Sequence, residues 1–307
     1  MESRRRAPAA GLRAQWIALC AAAVAACGGG EDATARGDRL WADSAYSAAL
    51  AEYRLAMRQD PGNEAILLRV AHAYAVGGEL ERAREAYRQL LERDADHTDQ
   101  AVFDYMRLAR RALERRDRYG MATAVEAALA LRPQLPLGEL AAPLARYYAE
   151  NGEPARALPL YERALAEASR DSAGQLLYEI GRIEEALGHC AEAISYFNAY
   201  RQRQPTGERV GEARWHTGSC ALELARQAHL AGRLPEALEH LDVVLELGVP
   251  ENVQDQAWFE RGEILFAIGR FEEALAAYRR VLDLNPARTG QLVERAQQRI
   301  DQIRFGS

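Results

Sequence analysis

Apolar residues recur along most of the chain with the spacing of helices that bury one face. Within a segment they stand at positions i, i+3, i+4 and i+7, as do Leu67, Val70, Ala71 and Tyr74. Glycine or proline separates the segments, because glycine accepts a left-handed helix end and proline cannot continue a helix. The separating residues are Gly78, Gly152, Gly188, Gly232, Gly269, Pro61, Pro133, Pro205 and Pro286. The pattern predicts amphipathic α-helices arranged in pairs.

The helix pairs repeat seven times. Each copy carries small residues at two fixed places, and the second place recurs at intervals of 34 to 44 residues. Its occupants are Ala49, Ala83, Met121, Ala157, Ala193, Ala237 and Ala274. A period in this range is typical of solenoids built from stacked helix pairs. No copy can bury its apolar face alone, so we expect neighbouring copies to supply the core.

The most complete copy shows a recognisable motif. It contains Trp258, Gly262, Leu265, Gly269, Phe271, Ala274, Tyr278 and Pro286. With this motif in tandem, the chain resembles the tetratricopeptide repeat (TPR) family. The resemblance implies an all-α fold, a right-handed TPR superhelix (α-solenoid) of about seven helix-turn-helix repeats. The aromatic residue is expected to fill the space between one pair and the next. We assign the repeats to residues 36–287 and a C-terminal capping helix to residues 288–307.

The N-terminus has the organisation of an export signal. Four arginines precede an apolar run from Trp16 to Ala26, about eleven residues, which is too short to span a bilayer. The run ends in Val24-Ala25-Ala26-Cys27, which resembles the lipobox of bacterial lipoproteins. The resemblance implies a signal peptide at residues 1–26, cleavage before Cys27 and acylation, such as palmitoylation, of that cysteine. The alternative is an ordinary secretory signal with Cys27 incidental.

The residues after Cys27 complete this prediction. Residues 27–35 are expected to form a lipidated, flexible tether, because three glycines begin it. The residue that follows Cys27 is Gly28 rather than aspartate. By resemblance to sorted lipoproteins, we expect a lipid-anchored protein of the cell envelope. In a host with two membranes, it would lie on the periplasmic face of the outer membrane.

Composition excludes several kinds of activity. The chain has a net charge of −6, and residues 1–26 carry four arginines and one glutamate, so the remainder carries −9. An acidic protein is a poor match for nucleic acid. All 39 cationic residues are arginine, so the chain has no lysine for a pyridoxal phosphate Schiff base or a phosphate-binding loop. We find no hydrolase or zinc-protease motif, and we expect neither enzymatic activity nor a cofactor.

Two cysteines remain beyond the predicted anchor. Cys190 and Cys220 each lie 15 residues from Pro205, near the turn between two antiparallel helices, so they stand at the same level. An exported protein enters an oxidising compartment, and we predict a Cys190–Cys220 disulfide. The alternative is two buried free thiols. His216 lies one helical turn before Cys220, but no further ligand is close in sequence, so we predict no metal site.

Arginine recurs at one position of four consecutive repeats. It follows the first small residue, and in this repeat that position points into the groove. The arginines are Arg110, Arg146, Arg182 and Arg226, and the other repeats have Asp38, His72 and Glu263. Guanidinium groups bind carboxylates in pairs of hydrogen bonds, so these arginines are candidate ligands for an acidic segment. The alternative is a solvated face in which they pair with Glu150, Glu184 or Glu185.

These features predict a non-catalytic protein-interaction scaffold or assembly factor, anchored to the bacterial envelope as a lipoprotein. Its partner is expected to be a protein or peptide with an acidic segment, bound in the concave groove, and the membrane is contacted through the lipid. An alternative is a carrier for an anionic glycan or peptidoglycan fragment. In that case Tyr178, Phe259 and Phe266 would serve as flat platforms for sugar rings.

Overall fold

Helices account for nearly all of the computed structural model of the protein, which describes residues 32–306. These residues contain fifteen α-helices, three short 3₁₀ turns and no strand. The helices are α1 (Ala33–Ala42), α2 (Tyr46–Gln59), α3 (Glu64–Gly77), α4 (Leu80–Leu91), α5 (Thr98–Glu114), α6 (Arg118–Leu131), α7 (Ala141–Glu150), α8 (Pro154–Glu167), α9 (Arg170–Ala186), α10 (Cys190–Arg203), α11 (Val210–Leu230), α12 (Leu234–Leu247), α13 (Gln254–Ala267), α14 (Phe271–Leu284) and α15 (Gln291–Phe305). The all-α prediction is confirmed.

The helices form pairs, each joined by a turn of two or three residues. Residues 32–135 make one compact unit with three pairs, α1–α2, α3–α4 and α5–α6. Residues 136–306 make a second unit with four pairs, α7–α8 to α13–α14, followed by α15. Within each unit, consecutive helices pack against each other. Helix α1 begins at Ala33, so the last three residues of the predicted tether are helical.

The turns inside the pairs share a left-handed residue. The five glycines expected there, at positions 78, 152, 188, 232 and 269, have φ angles between 73° and 82°, as predicted. The other two turns contain Ser44 and Arg116, each with a φ angle of 61°. A side chain in this region costs about 1–2 kcal/mol relative to ordinary helical geometry. The turn geometry is therefore kept even where the sequence lacks the residue that suits it.

A close contact holds the two helices of a pair together. A methyl group added to Gly262 of α13 would lie 2.6 Å from a ring carbon of Tyr278 in α14. The same test gives 2.5 Å between Gly37 and Tyr53, and 2.8 Å between Gly181 and Phe197. In each case the aromatic residue lies 16 positions after the glycine. The ring thus packs on the first helix of its own pair, in addition to contacts between pairs.

Contacts between pairs also involve this aromatic residue. Tyr87 of α4 meets Tyr105 of α5, the first helix of the next pair, with ring centroids 5.6 Å apart. Both rings are buried. The second small position is likewise enclosed, and Met121, the one large occupant, is only 1% exposed.

None of the helices in residues 32–306 combines the length and the apolar character needed to cross a bilayer.

The glycine contact predicts a large difference between two glycine substitutions in the second unit. Gly262→Leu should lower the free energy of unfolding by at least about 2 kcal/mol, because the new side chain must displace the Tyr278 ring. Gly211→Leu is the matched control, since a side chain there meets open space. It should raise stability by about 0.5 kcal/mol through helix propensity. Urea unfolding followed by circular dichroism measures both, and equal effects would contradict the proposed role of the contact.

Candidate binding surface on the first helices

The residue after the first small position contacts both its own pair and the next. In the first pair, the Tyr53 hydroxyl donates to Asp38 Oδ1 over 2.8 Å. Arg69, from the next pair, donates to both carboxylate oxygens of Asp38 over 2.8 and 3.1 Å. A tyrosine hydroxyl of one pair and an arginine of the next therefore converge on one carboxylate.

The last pair repeats this arrangement. The Tyr278 hydroxyl donates to Glu263 Oε1 over 2.5 Å, and Arg299 of α15 donates to both carboxylate oxygens over 2.8 and 2.9 Å. Burial raises the pKa of Glu263, but the hydrogen bonds from Arg299 and Tyr278 outweigh it and hold the pKa below the ordinary value. Burial and the same carboxylate raise the pKa of Tyr278. Glu263 is therefore ionised and Tyr278 is neutral at pH 7.

In the second pair the order of the charges is reversed, because the carboxylate lies on the later helix instead of the earlier one. His72 occupies the position after the small residue, and the carboxylate comes from Asp104 on the first helix of the next pair. The Asp104 side chain is fully buried and accepts hydrogen bonds from Tyr87 and from Arg107, the latter over 2.9 Å. His72 Nδ1 lies 2.7 Å from the same carboxylate. This cluster was not predicted, because Asp104 looks like an ordinary polar residue of a helix in the sequence.

The predicted arginines take up three different settings. Arg110 is exposed on α5, in the first unit. Arg146 and Arg182, in α7 and α9 of the second unit, are exposed, and each lies near a tyrosine, Tyr161 and Tyr178 respectively, where its charge partly offsets the burial that raises the pKa of that tyrosine. Arg226 is half-buried, and its Nε lies 3.6 Å from Glu260 Oε1. The four equivalent positions are thus not equivalent in their availability to a ligand.

The acidic partners considered for these arginines have other contacts. Glu184, which is buried, lies 2.8 Å from His189 Nδ1. Glu185 lies 2.6 Å from His216 Nδ1. Two of the three carboxylates predicted as alternative partners of the arginines therefore face histidines.

Two aromatic residues predicted to line the groove are buried instead. Tyr178 is 1% exposed, because its ring packs against Phe197 and Tyr200 and its hydroxyl donates to Glu212 of the next pair. Phe259 is 4% exposed, between Tyr278 and the guanidinium of Arg295. The prediction that these rings are open platforms for sugars is wrong, because the second helix of the same pair packs on each ring and a side chain of the following helix contacts it as well.

The two remaining cysteines lie together. Cys190, at the start of α10, and Cys220, in α11, are buried free thiols of the same hydrophobic cluster. Burial raises the pKa of both thiols, so both are neutral at pH 7. Within residues 32–306, no three side chains of histidine, cysteine, aspartate or glutamate are arranged to hold a metal ion. The predicted lipidation site, Cys27, lies outside the described residues.

Solved structures with a similar fold share little sequence with the chain. The TPR protein YrrB, described as having an unusual peptide-binding site, is 21% identical over 70% of this chain and 100% of its own, with a TM-score of 0.35. The C-terminal part of a TPR protein from Cytophaga hutchinsonii is 15% identical over 86% of this chain and 98% of its own, with a TM-score of 0.36. PilW, a type IV pilus biogenesis factor, is 17% identical over 86% and 96%, with a TM-score of 0.32.

Sequence models identify the family directly. Three models of the tetratricopeptide repeat match residues 40–102, 143–208 and 255–288, together more than half of the chain. No curated protein matches the chain. The three matches fall in both units and follow the helix pairs of the fold, so the chain belongs to the tetratricopeptide repeat family.

Proposed function

We propose that the protein is a non-catalytic scaffold or assembly factor that binds an acidic segment of a protein partner. The observation that carries this proposal is the setting of Arg146 and Arg182. Both are exposed, both occupy the same place in successive pairs of one unit, and each lies near a buried tyrosine whose pKa its charge lowers. A guanidinium has five N–H donors in a planar fork, so each exposed arginine can bind a carboxylate through two parallel hydrogen bonds.

The family supports the non-catalytic part of the proposal. TPR proteins are typically scaffolds for protein interactions. The chain also contains no lysine, which a pyridoxal phosphate Schiff base and a phosphate-binding loop both require. We expect the partner to contact the first helices of the pairs, where the exposed arginines lie.

A glycan carrier is the weaker alternative. It relies on aromatic platforms, and two of the three candidates, Tyr178 and Phe259, are buried. Phe266 is half-buried and keeps part of its surface accessible. One such ring is a small platform for a polymer, so the burial of the other two favours a protein ligand.

The membrane anchor is also a proposal. It rests on the resemblance of Val24-Ala25-Ala26-Cys27 to a lipobox and on the basic and apolar residues before it. Lipid on Cys27 would hold the repeats at the cell envelope, on the periplasmic side of the outer membrane in a host with two membranes.

The arginine proposal predicts a loss of affinity for an acidic probe. Arg146→Ala/Arg182→Ala should weaken binding of a fluorescein-labelled deca-glutamate peptide at least about tenfold, the effect of one charge-assisted hydrogen bond. Arg226→Ala should have a smaller effect, because Glu260 already compensates that charge. Affinity for wild type should also fall as salt rises, since exposed charges are screened.

The control for this experiment is Arg203→Ala/Arg279→Ala. These exposed arginines lie on second helices, α10 and α14, and their removal changes the net charge equally. Fluorescence polarisation at two salt concentrations measures all four proteins, and circular dichroism checks that each is folded. If the two double variants lose affinity equally, the probe senses net charge and the proposed surface is wrong.

The anchor proposal predicts a change of location. Cys27→Ala should release the protein from membranes or block its maturation, because alanine cannot carry the acyl chains on which stable attachment depends. Membrane fractionation and mass spectrometry of the N-terminal peptide measure this. A variant that stays with the membranes, together with an unmodified Cys27 in the wild type, would contradict lipidation.

The location of both thiols in one buried cluster supports the disulfide prediction. In an oxidising compartment Cys190 and Cys220 should become linked, closing a loop of about 30 residues worth roughly 3–4 kcal/mol in the chain-entropy model. Peptide mapping without reductant, on protein isolated from its native compartment, should find the linked pair. Complete alkylation of both thiols after unfolding without reductant would mean that they remain free.

A further inference from the structure

Exposed apolar side chains gather in the second unit, where the first helices of its last two pairs end. Leu230, the last residue of α11, is 91% exposed, and Phe271, the first residue of α14, is 49% exposed. Ile268, in the turn between α13 and α14, is 39% exposed. A single exposed apolar residue is ordinary, whereas a continuous group of them indicates a contact surface.

The contacts among these residues join them into one surface. The ring centroids of Phe266 and Phe271 are 5.4 Å apart, and the rings meet edge to face. Phe266 is half-buried, and it lines the same cavity as Leu230. Ile268 follows Phe266 by two residues. Leu230, Phe266, Ile268 and Phe271 are called the apolar edge below.

The repeat itself does not require a leucine at position 230. The equivalent residue, five positions after the first small residue, is Glu150 in the first pair of the unit and Ala186 in the second, and both are exposed. The turn that follows contains a left-handed glycine in all four pairs of this unit. Neither the turn nor the core therefore explains why the last two pairs carry large apolar residues here.

A cavity of about 830 Å³ opens beside Leu230, between α11, α13 and α15. Its accessible apolar lining comes from Phe266, Ala267 and Leu292, whereas Phe259, which also borders it, is buried. A projecting leucine and an apolar cavity are thus neighbours on one surface. A two-fold contact between identical chains needs this combination, because residue i of one chain meets residue j of the other and the reverse.

The charges around the apolar edge have both signs. Arg233 lies 2.8 Å from Glu236 at the start of α12. Arg270 lies 2.6 Å from Glu273 at the start of α14, and Glu272 beside it is exposed. An anionic bilayer attracts a surface with an excess of positive charge, which two arginines and three carboxylates do not provide. A second copy presents both signs, so arginines of each rim can meet carboxylates of the other.

We propose that the apolar edge is a contact between two copies of the chain. Leu230 of one copy enters the cavity of the other beside Phe266 and packs against Phe271, and two-fold symmetry repeats the contact. Specific interfaces at the small end of the range bury about 600 Å² on each copy, so we expect a dimer with a dissociation constant in the micromolar range. The proposal goes beyond the proposed function and uses neither Arg146 nor Arg182.

Crosslinking of the full chain in intact cells of the host tests which residues meet. A copy with Leu230→Cys and a differently tagged copy with Phe271→Cys are produced together and treated with a short, membrane-permeant bis-maleimide. The reagent should link the two tags at least about fivefold more than in the control pair, because the contact raises the effective concentration of the two thiols. Tagged copies without new cysteines give the background from thiols already in the chain.

The control pair replaces Leu230→Cys by Leu284→Cys. Leu284 is 44% exposed and ends α14, at the opposite end of that helix from Phe271. Ile268→Glu in both copies should reduce the linked product to background, because the contact would bury an unpaired carboxylate. Leu284→Glu is the matched change outside the apolar edge and should leave the product unchanged. Circular dichroism checks that both glutamate variants are folded.

Three results would overturn the proposal: no product above background, an equal product with Leu284→Cys, or a product that persists in Ile268→Glu. A charged maleimide applied to disrupted cells identifies lipid as another occupant. Cysteines at 230 and 271 that react only after detergent is added, without any linked product, would assign the apolar edge to the bilayer and also overturn the proposal. Deca-glutamate binding is measured on other residues, so either proposal can fail without the other.

Discussion

The packing of an aromatic ring on a small residue sixteen positions earlier determines much of the rest of the structure. At Gly262 the Tyr278 ring lies so close that a methyl group would clash with it. Because the ring is fixed there, its hydroxyl reaches the next residue of the first helix, Glu263. That residue in turn meets the following helix, α15, through Arg299. A core contact thus sets which side chain lies at the boundary between neighbouring pairs.

Opposite charges meet at this boundary, and their order can be reversed. In the first and last pairs the carboxylate belongs to the earlier helix and the arginine to the later one. In the second pair His72 is on the earlier helix and Asp104 on the later one. In the fourth pair, Arg146 lies near Tyr161, and Glu179 is on the helix that follows the pair. The arginine lowers the pKa of Tyr161 and the glutamate raises it. Complementary charges therefore stabilise the boundary between neighbouring pairs, and the exposed arginines among them also belong to the candidate binding surface.

This double role explains what the sequence could and could not predict. The period, the helix pairs and the glycine turns follow from local spacing, and all are present. The burial of Tyr178 does not follow from local spacing, because it depends on Glu212 and Phe197, which lie in other helices. Tyr178 and Arg182 are one turn apart, so helical spacing puts both on one face, yet only the arginine is exposed. Asp104 was missed for the same reason, since its partners come from three helices.

The two turns without glycine give the chain an uneven stability. Ser44 and Arg116 both hold left-handed backbone, and both belong to residues 32–135. Every turn inside a pair of residues 136–306 has glycine, and the non-glycine left-handed residue described there is Arg288, after α14. In repeat proteins, stability is roughly a sum of local terms and neighbour terms, so strain in one segment remains a property of that segment. Amide hydrogens of residues 32–135 would then exchange through local opening more readily than those of residues 136–306, and unfolding would begin preferentially in the first unit.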